Sequence, residues 1–330
     1  MVEGRPRSAR RRLGTAVALG GAAATMVLPD RLGLDHRFPF VGVAAFRPHL
    51  TASALTAAAL LATRPRSRLA AAVVGAVGLA GAGAVVGRAI RRPAPAPAPA
   101  DLTILTVNVL NGRADTGELS TLIAREAPDF VVLPEAGSDF RDKLMPLVET
   151  LGYRSWISTA PGAKDGQSVT MLAAPRAGDV RVRSGSGMRL RHLEATGGVL
   201  GARVLFAVHT TAPMSRRRAA RWRRDLAVVR QWCRAPAAPI VAGDFNATLD
   251  HSPLRAAVRG CRSAAAGTGC GLVGTYPSSV PPWRGIQIDH VFVPAGTVTT
   301  RFEVVDVAGS DHRGVLARVR LSADSSAREE

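Results

Sequence analysis

Lysine, cysteine and acidic side chains are all scarce in this chain. Lys143 and Lys164 are its two lysines, so nearly all of its 43 basic residues are arginine. Three cysteines, Cys233, Cys261 and Cys270, are too few for a disulfide framework, and none stands in a C-x-x-C spacing, which argues against zinc. Cys261 and Cys270 flank a loop rich in Gly, Ala and Ser. They are the pair expected to bridge if the domain faces an oxidising space, leaving Cys233 as a buried thiol on a helix. With 25 acids against 43 bases the formal charge is +18, which invites a nucleic-acid partner. Yet residues 1–100 hold 14 Arg against Glu3, Asp30 and Asp35, so that segment carries +11 and the remainder only +7. A solvated arginine-rich surface is the preferred account of +7, ahead of a phosphate-binding footprint.

Composition changes sharply near residue 100, and the two parts read differently. The first is Ala, Gly, Val and Leu with scattered Arg. Leu13 to Pro29 and Leu69 to Gly87 are uncharged runs approaching the length that crosses a bilayer. A weaker third run from Val41 to Thr63 contains Arg47, which belongs near an interface where it can snorkel. Three membrane spans are therefore expected over residues 1–92. Eight arginines at the N-terminus and in the turn Arg64 to Arg68, against six in the opposite loops, would be cytoplasmic. An odd number of spans then puts the rest of the chain outside the cytoplasm, in a multi-pass cell-membrane protein. The competing reading is a cleaved signal peptide ending near Ala22 to Ala24. It leaves the run at 69–87 without a use, and the small residues Gly75, Gly78, Gly81 and Gly83 in that run suit close helix packing in lipid. Pro93 to Ala100 alternates Pro and Ala, a stiff spacer spanning about 25 Å at ~3.1 Å per residue.

Residues 101–322 mix short β-rich runs with helical patterns, and 323–330 form a polar tail. Strands are expected at Leu102 to Leu110, Phe130 to Pro134, Val169 to Ala173, Arg203 to His209, Ile240 to Phe245, Ile286 to Val293, Phe302 to Val307 and Val315 to Leu321. Helices are expected at Thr116 to Glu126, Ser138 to Leu151, Ser215 to Cys233 and Ser252 to Val258. That mixture is α/β, with helices outside packed sheets. Asn108, Glu135, His209, Asp244 with Asn246, Asp289 with His290, and Asp311 with His312 each fall at or beside the end of an apolar run. One acid there is an ordinary loop residue; six such places suggest a shared rim.

Carboxylates and amides without thiols select a hard cation, Mg²⁺ or Mn²⁺. Hydrolysis at phosphorus further requires an oriented water, a proton acceptor, and donors for the charge on the phosphate and leaving group. Glu135 and Asp311 suit the cation, and Asp244, Asn246, His209 and His312 suit the rest.

The segments TVNVL, LPEA, HTTAP, GDFNAT, IDHVF and GSDHRGV, in that order, resemble the endonuclease/exonuclease/phosphatase superfamily across residues 102–320. GDFN and SDH at this spacing are the specific part. The resemblance implies a four-layered αββα sandwich of the DNase I-like kind, with the site at one edge of two packed sheets. It implies that Asn108, Glu135 and Asp311 position the metal, and that Asp244 and Asn246 orient the nucleophilic water and the phosphate. It implies also that Asp289 orients the catalytic His312, and that His209 serves the leaving oxygen. Asp244 and His312 are expected to activate water. His290 points away from Asp289 on a strand and reads as structural. One departure is Leu110, where several nucleases of the superfamily carry an acid, so a strict DNA-repair specificity is not expected.

The arginine-rich start, apparent spans, spacer and enzyme domain together resemble a membrane-bound actinobacterial branch of the superfamily, the VanJ-type proteins associated with teicoplanin resistance. That implies a lipid-linked phosphate or diphosphate substrate near the bilayer, concentrated there by tethering. The alternative is a surface-anchored nuclease acting on DNA or RNA. Arg181, Arg183, Arg189, Arg191 and the basic helix from Arg216 to Arg224 would then contact phosphates, with Trp222 or Trp283 stacking on a base. For Trp222 the favoured reading is the apolar face of an amphipathic helix packed in the core. A catalytically silent binding domain would have lost metal or histidine positions, and none is lost.

Overall fold

The computed structural model describes residues 4–159, 163–236 and 239–321, so the polar tail at 323–330 lies outside the described residues. The chain divides into a helical unit, Met1–Gly87 with Pro213–Ala219 and Leu249–Ser252, and an α/β unit comprising the remainder.

The helical unit consists of α1 (Gly4–Val27), α2 (Phe40–Ala45), α3 (Arg47–Ala62) and most of α4 (Arg68–Ala89). Val27, Ala54, Ala58 and Val74 form its core. A Cβ on Gly78 would meet Leu55 at 2.7 Å, and one on Gly81 would meet Val27 at 2.4 Å, so α4 can approach its neighbours only with glycine at these places. Pro65–Ala89 is the one helix among the described residues long and apolar enough to cross a membrane, by length and composition. The middle expected span is interrupted at Phe46, because Pro48 is tolerated only in the first turn of a new helix. Arg47, expected to snorkel outward, is instead 2% exposed and ion-paired within the unit.

Two six-stranded sheets make up the α/β unit. One contains β1 (Leu102–Thr106), β2 (Phe130–Pro134), β3 (Arg154–Ile157), β4 (Val169–Ala173), β11 (Val298–Val305) and β12 (Gly314–Arg320), ordered β11-β12-β1-β2-β4-β3. The other contains β5 (Val180–Gly185), β6 (His192–Gly197), β7 (Val204–His209), β8 (Ile240–Asp244), β9 (Cys261–Ser263) and β10 (Asp289–Pro294), ordered β5-β6-β7-β8-β10-β9. Each sheet is antiparallel except for one central parallel pair, β1 with β2 and β7 with β8. Ile104, Phe130, Val132, Met171, Leu205, Ile240 and Val291 meet between the sheets in one apolar layer.

Helices cover both outer faces, as the sandwich requires. On the first sheet, α5 (Thr116–Glu126) and α6 (Ser138–Val148) bury Leu119, Ile123, Phe140 and Leu144 against Val131 and Leu133. Asp115 caps α5 by accepting from the Glu118 N–H, and Ala127 ends it in a left-handed conformation. Against the second sheet, α7 (Arg216–Trp232) buries Trp222, Leu226 and Val229 and stacks Trp232 on Phe206 at 3.9 Å. A short helix, α8 (Ser252–Ala257), follows β8.

The cysteine pairing differs from the expectation. Cys233, just past the end of α7, is bonded to Cys261 at the start of β9, with Cα atoms 5.5 Å apart, and Cys270 is the free thiol. Pairing of β9 with β10 fixes Cys261 opposite Pro294, while Cys270 turns its sulfur toward the Phe302 carbonyl at 3.9 Å. Proximity in sequence was therefore the wrong guide.

Candidate active site

The two central parallel pairs run in such a way that the ends of their strands deliver polar groups. Asn108 follows β1 and Glu135 follows β2, while His209 and Asp244 are the register partners that close β7 and β8. Asp289 opens β10 directly opposite Asp244, and His312 lies two residues before β12. Placing a carboxylate where a strand ends avoids a charge among the apolar side chains of the sheet interior.

Asn108 joins the two sheets' acids. Its amide donates to Glu135 Oε1 at 3.1 Å and to Asp244 Oδ2 at 3.0 Å, while its own oxygen accepts from the Leu110 N–H at 2.9 Å. Asn108 is thus a bridge between carboxylates. The second Glu135 oxygen accepts from the Asn111 N–H at 2.8 Å. That bond explains the departure at Leu110: Leu110 and Asn111 both adopt positive φ, and the turn offers Glu135 a backbone donor. His209 Nε2 stands 3.7 Å from both Glu135 Oε1 and Asp244 Oδ2.

Asn246 donates from its backbone to Asp244 Oδ1 at 2.7 Å and from its side chain to the Thr210 carbonyl at 3.0 Å. Glu135 and Asn246 have φ of +63° and +46°, uncommon for residues with a Cβ and typical of sites where the surroundings over-determine the backbone. Gly243, with φ of +142°, has no room for a side chain: a Cβ there would sit 1.9 Å from the Val208 carbonyl.

His312 Nδ1 and Asp289 Oδ2 share a hydrogen bond of 2.8 Å, and His312 Nε2 is 3.9 Å from Asp311, whose side chain is 41% exposed. Burial by itself would favour the neutral ring. The Asp289 carboxylate, aided by Asp244 and Asp311, overrides it and lifts the imidazolium to about 10. Burial pushes the Asp244 carboxyl up to about 6, with the Asp289 charge adding to the rise and His312, His209 and the Asn246 N–H opposing it. His290 behaves as expected for a structural residue. Burial lowers it to about 4, and its neutral ring pairs with the Ala247 carbonyl at 2.8 Å.

The donors fit a hard divalent cation: Glu135, Asp244 and Asp289 present oxygen, no thiol is near, and buried Asp289 Oδ1 has no hydrogen-bond partner. Ligand atoms of Asp244, Asp289 and His312 all lie within 4.8 Å of one another.

Several residues of the site were not singled out in the sequence. Tyr276 packs its ring 4.9 Å from that of His312, and burial, with Asp311 and Asp244, raises its phenol above the ordinary value. Ser310 Oγ donates to the Asn108 carbonyl at 2.6 Å and accepts from the His312 N–H at 3.0 Å, tying the first strand's end to the last. Trp222, which the sequence did single out, donates from the core to the Phe245 carbonyl at 3.1 Å. The aromatic in TYP beside a strand and the serine in GSDH were the available signals.

Residues 105–312 match the endonuclease/exonuclease/phosphatase family, and the chain belongs to it. Its members are metal-dependent phosphoesterases and nucleases, so the protein is an enzyme that hydrolyses phosphoric esters. None of the curated proteins matches the chain in sequence. Among solved structures, a humanized TDP2 of D. rerio is 16% identical, with a TM-score of 0.52 over 67% of this chain and 100% of that one. An endonuclease/exonuclease/phosphatase of Bacteroides vulgatus is 14% identical, with a TM-score of 0.50 over 67% and 99%. A mannosyl-6-phosphatase of Bacteroides thetaiotaomicron is 15% identical, with a TM-score of 0.49 over 67% and 100%. At such identities the first two likenesses speak for the fold.

Proposed function

We propose that the protein is a Mg²⁺-dependent phosphoesterase, Mn²⁺ serving in its place, anchored in the cell membrane with its site outside the cytoplasm. Its proposed substrate is a lipid-linked phosphate ester or diphosphate of envelope synthesis. The observation that carries the chemistry is the joining of Glu135 and Asp244 through Asn108, beside the His312–Asp289 pair. The membrane reading draws on the apolar helix at Pro65–Ala89, and the extracytoplasmic reading on the Cys233–Cys261 bridge, which suits an oxidising space.

In this mechanism Glu135 would hold the cation with Asp311, and Asn108 keeps Glu135 and Asp244 in register. The cation, when bound, supplies positive charge for the phosphate oxygens. Asp244, with a carboxyl near 6, takes the proton of the attacking water, which Asn246 helps to orient. His312 enters as an imidazolium held by Asp289, so it donates to the phosphate or leaving oxygen, in place of the base's role expected from sequence. His209, between Glu135 and Asp244, faces the same phosphate.

A nuclease reading has one observation in its favour, Trp283, which is 72% exposed with the Arg284 guanidinium 5.6 Å from its ring. Trp222 is fully buried and cannot stack on a base. The test is a panel of polyprenyl diphosphate, phosphomonoester, duplex DNA and RNA given to the full chain in lipid–detergent micelles with Mg²⁺. Lipid diphosphate hydrolysis that is abolished in Glu135→Gln supports the proposal. Turnover of DNA or RNA with none of the lipid replaces it with the nuclease reading.

A further inference from the structure

We propose that Asp165 is a positioning residue for Glu135, pinning together the two turns that present the carboxylate on which the cation is proposed to sit. The inference rests on the reading of Glu135 as the cation's holder.

Glu135 follows β2 with φ of +63°, and the turn facing it has three successive residues of positive φ: Leu110 at +48°, Asn111 at +50° and Gly112 at +72°. Such conformations are unfavourable for residues with a Cβ and persist only where the surroundings over-determine them. The two turns meet at the Asn111 N–H, which donates to Glu135 Oε2 at 2.8 Å. Slack in either one therefore moves the carboxylate.

The fastening comes from residues 165–170. The Ser168 carbonyl accepts from the Glu135 N–H at 3.0 Å, Thr170 Oγ1 donates to the Ala136 carbonyl at 2.9 Å, and Asp165 Oδ1 accepts from the Gly137 N–H at 2.6 Å. Ser168 and Thr170 lie at the start of β4, which pairs with β2 in any case, whereas Asp165 is a tether that the sheet does not supply. Its other oxygen reaches the facing turn. A Cβ on Gly112 would lie 2.3 Å from Asp165 Oδ2, and one on Gly137 would lie 2.6 Å from Oδ1, so the carboxylate fills a space that exists because both neighbours are glycine. Gly166 sits against Asn111, since a Cβ there would meet Asn111 Oδ1 at 1.9 Å. The Ser168 N–H, donating to the Asp165 carbonyl at 2.9 Å, closes the short turn Asp165–Gln167 that presents the group.

Gly137 is also the residue before α6, so the same bond caps that helix. Capping by itself would make Asp165 a residue of stability only. Its place gives it more: it holds the backbone two residues from Glu135 and touches the turn that donates to the Glu135 side chain, and partners that orient a metal-holding carboxylate govern affinity for the ion.

The test uses the full chain in lipid–detergent micelles, as wild type, Asp165→Ala, Asp165→Asn and Asp165→Glu. Three readouts are taken: the Kd for Mg²⁺ by isothermal titration calorimetry, amide hydrogen exchange without metal, and the melting temperature. In Asp165→Ala the Kd should rise about 10- to 100-fold, the usual effect of losing a partner that orients a metal ligand. Exchange should quicken at 111–113 and 135–138 but not in β7 or β8. Asp165→Asn keeps an oxygen for the Gly137 N–H and should recover most of the affinity. Asp165→Glu keeps the charge but has no room between Gly112 and Gly137, so it should resemble Asp165→Ala; these two variants decide if Asp165→Ala does not fold. A Kd unchanged in Asp165→Ala while the melting temperature falls would leave Asp165 a helix cap and overturn the proposal. An equal loss of affinity in Asp165→Asn and Asp165→Ala, the mark of a distant charge, or unchanged exchange in both turns would overturn it too. A wild type that binds no Mg²⁺ would instead remove the reading of Glu135 as the cation's holder, and the exchange comparison would still decide whether Asp165 fastens its turn.

Discussion

Replacing Asp289 with Asn removes a charge from beneath His312 while keeping an oxygen able to accept from its Nδ1. The imidazolium stands at about 10 against an ordinary 6.5, a preference for the charged ring of at most about 5 kcal/mol, and the Asp289 carboxylate is its foremost support. Without that carboxylate burial prevails, and the ring becomes neutral at about pH 7. In the wild type the rate should rise as Asp244 loses its proton and fall as His312 loses its own, giving an active window between about 6 and about 10. A bound cation lowers both limits, so the difference between the two proteins is the quantity to read. In Asp289→Asn the alkaline limit should drop to meet the acid one, and kcat at about pH 7 should fall about 10²- to 10⁴-fold, the usual worth of a positioned acid. The assay is initial rate on a phosphodiester at saturating Mg²⁺ across the window. Stability should follow the same group. Its folded value lies above the unfolded one, so its contribution is complete below about pH 6.5 and is lost as pH rises through about 10. A thermal melting profile over that range should therefore slope downward in the wild type and flatten in Asp289→Asn. An alkaline limit that does not move, with both melting profiles alike, would refute the assignment of His312 as a cation held by Asp289.

Three further outcomes follow from the geometry. Mg²⁺ should raise the melting temperature more above about pH 6 than below it, because Asp244 must be ionised beside the cation, and Glu135→Gln should abolish the increment; this is read by differential scanning fluorimetry. Gly243→Ala should cost about 3 kcal/mol or prevent folding, since its Cβ would overlap the Val208 carbonyl, and urea unfolding measures it. Cys233→Ser should cost about 2 to 4 kcal/mol by opening a loop of 28 residues' separation, whereas Cys270→Ser should cost little, and peptide mapping without reductant should recover Cys233 joined to Cys261.

How far the fold could be read in advance depended on whether the signal was local. Thr116–Glu126, Phe130–Pro134 and Val169–Ala173 were legible to the residue, because a cap or a short, mostly apolar run with clear limits marks both ends. Arg154–Ile157, His192–Gly197 and Cys261–Ser263 went unread: they are short or polar and gain their status from a partner strand. Val180–Gly185 is different, since alternation of Val180 and Val182 with Arg181 and Arg183 carries the period of two expected of an edge strand. The arginines first weighed there as a phosphate-binding row are thus the outward face of an edge, where charge also discourages pairing with another chain.

The same division explains the site. Strand ends declare themselves, because a carboxylate or amide after an apolar run has few other places to be. The nine residues expected at the rim therefore include every one that forms the Glu135–Asn108–Asp244 bridge and the Asp289–His312 pair. The pairings inside the helical unit are not local in that way. Asp250 and His251 follow the GDFN segment as ordinary polar loop residues, and Arg47 reads as a charge stranded in an apolar run. Each is intelligible only when 203 positions of chain are folded back so that Arg47 and Asp250 meet. A charge that looks misplaced in sequence is then a question about its missing counterpart, and for Arg47 the counterparts are Asp30 and Asp250 within the helical unit.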